Sequence, residues 1–173
     1  MLFRSIISDI ASALDAIHEI GLIHGDLKPE NILVFKRQSL YIAKLSDFGS
    51  SADLTKETVL RGLGTVGWRA PELRRHHEDN EPIHLELLDR MDTYSFGLVA
   101  WCILCQSTCP PRGSKQERTG DSALIDLQGQ QIIPTTLMPI YEVLLQACLC
   151  DEPRNRPVKI SKLLEDPKED MNM

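Results

Sequence analysis

Residues 92–105 read DTYSFGLVAWCILC, and beyond its first few positions the stretch is apolar almost all round. A helix with one apolar stripe can lie on a surface, but a helix without a polar face has to be enclosed. The uninterrupted apolar part, Phe96 to Cys105, is too short to cross a bilayer. The stretch therefore predicts a central helix around which the rest of the chain packs. At 173 residues the chain is long enough for one domain with a real core and too short for two.

The flanking segments supply the layers. Leu2, Phe3, Ile6, Ile7, Ile10, Leu14, Ile17 and Ile20 recur at i, i+3, i+4 and i+7, which predicts an amphipathic helix that Gly21 ends. Two short β-like runs follow, ILVF at 32–35 and YIAKLS at 41–46, and the KRQSL between them reads as a hairpin connection. Pro71 and Glu72 open a short helix, after which RRHHEDNEPIH at 74–84 reads as a charged linker. Residues 106–136 are expected to be loop with one short helix. MPIYEVLLQACLC at 138–150 is helical, DEPRNRP breaks it, KISKLLE forms a last helix, and 166–173 is a flexible tail. The expected fold class is mainly α with a small β-hairpin.

Net charge is −6, so composition favours neither a nucleic-acid partner nor an anionic membrane. Asp9, Asp15 and Glu19 interrupt any N-terminal apolar signal region, which points to an intracellular protein, cytoplasmic before nuclear. Cysteines stand at 102, 105, 109, 148 and 150, an odd count that argues against a disulfide framework. Cys102 and Cys105 form a C-x-x-C that could be a metal or redox pair. They lie inside the apolar run with no histidine nearby, so packing is the expected role.

The loops carry the chemistry. Asp26 and Asn31 flank a turn stiffened by Pro29, and Asp47 begins an Asp-Phe-Gly just past the hairpin. Folding the hairpin brings Asn31 and Asp47 to one end, an amide oxygen beside a carboxylate. Such hard oxygen ligands suit Mg²⁺, which keeps its waters and shares phosphate oxygens. Asp26 nearby can accept a proton from a hydroxyl, and Lys28 can neutralise a phosphoryl group. Taken singly, Asp26 and Asn31 could equally be turn residues bonded to their own backbone.

HGDLKPEN at 24–31, DFG at 47–49 and GTVGWRAPE at 64–72 resemble, in order and spacing, the catalytic loop, metal-binding loop and activation-segment end of eukaryotic protein kinases. DTYSFG and DEPRNRP extend the likeness over residues 2 to 165. It implies a protein-kinase-like C-lobe, with residues 1–165 as that domain, and ATP and Mg²⁺ as cofactors. Asp26 would orient the acceptor hydroxyl, Lys28 would contact the γ-phosphate, and Asn31 and Asp47 would hold Mg²⁺. Leu33 would lie under the adenine. His24, Phe48 and Gly49 would be structural, and Thr65 would help to seat a Ser/Thr acceptor. Glu72 would pair with Arg156, and Asp92 would brace the catalytic loop. Substrate or partner would be a protein.

Two departures bear on activity. The family's usual arginine between His and Asp, which commonly receives an activation-loop phosphate, is Gly25 here. No stretch resembles the glycine-rich strand, the strand lysine or the helix glutamate of the small lobe, which is expected to be missing or to come as a separate chain. The expectation is therefore a Ser/Thr kinase-type phosphotransferase with very weak ATP binding and little or no turnover in this chain. The alternative is a non-catalytic, pseudokinase-like binding or scaffold module.

Overall fold

The computed structural model describes residues 2–55, 63–79, 87–109, 118–128 and 133–165. Among the described residues, five helices carry the body: α1 (Leu2–Glu19), α2 (Pro71–Asp79), α3 (Leu88–Leu104), α4 (Gly120–Gln128) and α5 (Met138–Cys148). Among the same residues, four short strands, β1 (Leu22–Ile23), β2 (Ile32–Arg37), β3 (Leu40–Leu45) and β4 (Ala52–Asp53), form two antiparallel pairs, β1 with β4 and β2 with β3. The result is mainly α with small antiparallel sheets.

The apolar run forms the centre. Every residue of α3 from Met91 to Cys102 is buried, and the helix touches α1, α4, α5 and β1. Phe96, Leu98, Trp101 and Leu104 are fully enclosed, each contributing roughly 1.5–3 kcal/mol by leaving water. At Gly97 helix α5 comes so near that an added Cβ would stand 2.9 Å from Cys148 Cβ. Only glycine permits that crossing.

Helix α1 buries Ile7, Ile10, Ala11, Leu14 and also Asp15 against this centre. The Asp15 carboxylate accepts Ile160 N and Ser161 N at 2.9 Å each and the Ser161 hydroxyl at 2.6 Å. It thereby caps a 3₁₀ turn over Ser161–Leu164. That single turn stands where KISKLLE predicts a helix; four residues are a usual length for a 3₁₀ piece.

Two other expectations need correction. The segment 74–84 reads as a linker, yet α2 carries 74–79 as helix, and residues 80–84 lie outside the described residues. Once Glu72 is anchored, arginine and glutamate are sound helix formers and continue the spiral. The hairpin is longer than its apolar core: strands pair from Ile32↔Leu45 to Arg37↔Leu40, leaving only Gln38 and Ser39 as the turn. Lys36 lies over the Tyr41 ring and Lys44 over Phe35, each 5.7 Å from the centroid. These cross-strand contacts extend the ladder through polar sequence.

All five cysteines are free thiols, with Cys102 and Cys148 buried. Burial pushes the Cys102 thiol up to about 12 and raises Cys148 further. Among the described residues no group of three or more His, Cys, Asp or Glu is disposed to hold a metal, and no helix is long and apolar enough to cross a membrane. The expected tail at 166–173 lies outside the described residues.

Candidate active site

The catalytic-loop segment hangs from one buried carboxylate. Asp92, on α3 and 2% exposed, accepts His24 N at 2.7 Å with Oδ2 and Gly25 N at 3.0 Å with Oδ1. His18 of α1, which the sequence did not single out, brings Nε2 to 3.0 Å of the same Oδ2. Two consecutive amides on one carboxylate force a sharp turn, and Gly25 makes it with φ +78°. A Cβ there would meet Ser50 O at 2.3 Å, so the backbone at this position excludes a side chain, arginine included.

His24 is fully buried and links both ends of the hairpin region. Its Nδ1 accepts from Asp26 N at 3.3 Å, while Nε2 lies 2.9 Å from Ser46 O. A neutral ring protonated at Nε2 satisfies both contacts. Its face is tilted 50° against Phe48, centroids 5.1 Å apart. The Asn31 carbonyl accepts Ser46 N at 2.9 Å, so Asp47 emerges directly beside the Asn31 turn.

Asp26 is held by both carboxylate oxygens. Oδ2 receives Lys28 Nζ at 2.7 Å, Oδ1 receives the Thr65 hydroxyl at 2.7 Å, and Lys28 Nζ also donates to Thr65 Oγ1 at 2.7 Å. Lys28 thus uses two of its three N–H donors here. Asn31, buried, donates Nδ2 to Asp26 O at 2.8 Å, which leaves its amide oxygen as the acceptor facing away from that bond. Gly64 N donates to Gly25 O at 2.7 Å, a backbone tie between this loop and the segment carrying Thr65.

Burial raises the Asp26 carboxyl, but the bonds from Lys28 and Thr65 and the Lys28 charge outweigh it and hold it below its ordinary 3.8. A carboxylate this acidic is a poor proton sink at neutral pH and a good acceptor for aiming a hydroxyl. Since its folded pKa is depressed, the stability it contributes is present above the unfolded value and is lost as pH falls through the folded one. Lys28→Ala is expected to move the Asp26 titration upward, read from its side-chain carbonyl ¹³C shift. An unmoved titration would show that Lys28 does not set it.

Asp47 is exposed and sits in the left-handed region at φ 59°, ψ 72°, with Oδ1 accepting Gly49 N at 3.3 Å. Aspartate tolerates this backbone better than most residues, and the strain sits at the expected ligand. One carboxylate and one amide oxygen make no closed cage. They do fit Mg²⁺, which takes one or two protein oxygens and draws the rest from phosphates and water.

The remaining site residues fall elsewhere. Leu33 is half-exposed on β2, as is Phe48 beside the loop. Glu72 and Arg156 form a second cluster: Nη1–Oε1 is 2.7 Å, Nη2–Oε2 is 2.9 Å, and the Arg156 side chain has no exposure. Its remaining donors reach the carbonyls of Cys150, Arg90 and Asp151, and the guanidinium carbon lies 4.9 Å from the Tyr94 ring centroid. This buried arginine joins α2 to α3 and to the 3₁₀ turn at Pro153–Asn155.

Comparison with known proteins gives one consistent family. The protein kinase domain matches residues 2–167. A Dictyostelium discoideum protein described as a "Probable LIM domain-containing serine/threonine-protein kinase" is 33% identical over 156 residues, covering 88% of this chain and 22% of its own length. Mitogen-activated protein kinase kinase kinase 13 of Homo sapiens is 32% identical over 161 residues, covering 86% of this chain and 14% of its own length. The kinase kinase kinase 12 of Rattus norvegicus is also 32% identical, with 15% of its length covered. The chain thus spans less than a quarter of the curated relatives it matches.

Proposed function

Because the chain belongs to the protein kinase family, we propose that it supplies the acceptor-orienting and metal-binding half of a Ser/Thr protein phosphotransferase. The observation that carries this reading is the clamp on Asp26, whose two oxygens are fixed by Lys28 and Thr65 while Asn31 fixes its backbone carbonyl. Phosphoryl transfer asks a protein mostly for positioning and charge neutralisation. Asp26 accepts the hydrogen bond of an incoming serine or threonine hydroxyl and so aims its oxygen. Lys28 brings a fixed positive charge to the oxygens of the transferring group. Asn31 and Asp47 are the residues that would hold Mg²⁺, which when bound neutralises charge on the phosphates of ATP. Thr65, already bonded to Asp26, ties acceptor seating to the state of that loop. Five free thiols accord with an intracellular, cytoplasmic setting.

A second reading, a non-catalytic scaffold, draws support from the apolar side chains of Leu33, Val34 and Phe35, each about half-exposed on β2. A strand so uncovered is a surface for another polypeptide. Calorimetric titration of Mg²⁺·ATP separates the two. The phosphotransferase reading expects binding that weakens about tenfold or more in Asp47→Ala. Absence of binding by well-folded protein would favour the scaffold.

A further inference from the structure

The two edges of the β2–β3 hairpin differ. Along β3, Ala43 N donates to Asp9 Oδ2 at 2.8 Å and Tyr41 O accepts the Ser5 hydroxyl at 3.2 Å, so side chains of α1 occupy that edge. The same two bonds fix the phase of the ladder. In an antiparallel pair, residues whose backbone groups face outward stand opposite partners whose groups face outward too. Tyr41 pairs with Lys36 and Ala43 with Val34. The N–H and C=O groups of Val34 and Lys36 therefore line the outer edge of β2. Among the described residues no strand lies on that edge, no hydrogen bond reaches those groups, and both residues are exposed.

The same edge borders a cavity. A space of about 300 Å³ lies between α1, α3 and the β2 face that carries Ile32 and Val34, with Phe3, Ile6, Val99 and Ile103 among its apolar walls. Side chains alternate between the faces of a strand, which puts Val34 and Lys36 on the cavity's face and Phe35 and Arg37 on the other. A strand laid antiparallel on the edge sets one residue opposite Val34, its side chain on the cavity's face, and the residue two before it opposite Lys36. Lys36 and Arg37 are exposed, and among the described residues neither is paired with an acid. Strand β2 itself, ILVFKR, has no acidic residue, so a second copy of it offers these cations no partner. An acidic segment does.

We propose that the outer edge of β2 is a strand-addition site for an extended segment of a partner protein in which two acidic residues precede three apolar ones. Main-chain bonds at Val34 and Lys36 hold the segment, and the cavity takes the apolar side chain opposite Val34. The apolar residues on either side of it cover Leu33 and Phe35, and the two acids meet Lys36 and Arg37. None of Asp26, Lys28, Asn31 and Asp47 takes part, so the proposal does not rest on phosphoryl transfer.

The test is fluorescence anisotropy of the full chain with the labelled peptide Thr-Glu-Glu-Val-Leu-Val-Thr, without nucleotide, and with the same peptide bearing one N-methyl group at each residue in turn. An N-methyl removes a single main-chain donor and leaves every side chain in place. Edge pairing predicts a period of two: methylation at the leucine and at the second glutamate weakens binding about tenfold, and methylation at the residues between and beside them leaves it unchanged. Exchanging both glutamates for glutamine is also expected to weaken binding, a difference that Lys36→Gln with Arg37→Gln removes. The methyl scan uses the unaltered chain, so its reading does not depend on a variant that folds. No binding, or equal sensitivity to methylation at every position, overturns the proposal. A chain that sediments as a dimer without peptide, and as a monomer when Val34→Pro deletes one outward N–H, assigns the edge to a second copy and overturns it too.

Discussion

Arg156→Ala is expected to destabilise the fold by roughly 3–5 kcal/mol, enough to consume much of the margin of an ordinary domain. The cause is the stranded negative charge more than the missing guanidinium. Arg156 answers both oxygens of Glu72, which has only 20% side-chain exposure, together with the carbonyls of Cys150, Arg90 and Asp151. Its removal leaves a shielded carboxylate and three carbonyls without their donor and opens a cavity under Tyr94. Because several elements meet at this one side chain, the effect should appear as a cooperative drop in melting temperature, roughly 10 °C for a chain of this size. Glu72→Gln should cost less, since the guanidinium keeps its carbonyl partners and one amide oxygen. A destabilisation below about 1 kcal/mol for Arg156→Ala would mark the pair as a surface interaction of little weight.

Asp92→Ala should cost roughly 3 kcal/mol, with a more local signature. The carboxylate receives His24 N, Gly25 N and His18 Nε2. Each donor left unmatched in the interior costs about 1–3 kcal/mol. Hydrogen exchange is the sharper measurement. The amides of His24 and Gly25 should be strongly protected in the parent chain and exchange by local opening in the variant. Asp92→Asn should fall between, because its amide offers one acceptor and turns an N–H₂ toward a second donor. Retained protection in Asp92→Ala would show that the loop is held by other means, for which the Gly64–Gly25 backbone bond is the nearest candidate.

Much of the fold is legible in the residues. Periodicity locates α1, and the run without a polar face locates α3, because burial demands those patterns directly. The loop residues are legible for another reason: Asp26, Asn31 and Asp47 are residue types whose spacing answers a chemical need. The two-residue ladder of β1 and β4 is not readable, since no pattern can emerge from so few positions. The outer half of the β2–β3 hairpin escapes because aromatic and lysine pairs, not apolar alternation, hold it. Asp15 does carry a signal. It continues the Ile7, Ala11 row at i+4 on the buried face of α1, where an acid demands a partner. That the partner would be amides at 160 and 161 could not be read. His18 gives no signal, since a histidine near the end of a helix is commonplace. Lys28 is expected to face a phosphate, and its contacts to Asp26 and Thr65 depend on how residue 65 returns to the loop, which spacing does not encode.

The Asp15 cap also bears on how the chain is made. Its amide partner at residue 160 lies 145 positions further along. At ribosomal rates of about 5–20 residues per second, Asp15 is added to the chain roughly 7–30 s before that partner exists. For that interval the Asp15 carboxylate lacks the amides it caps, while β1, β3 and α3, which also pack on α1, are made before it ends. The tie between α1 and the turn at Ser161–Leu164 is thus among the last contacts that synthesis makes available, after those of α1 with β3 and α3.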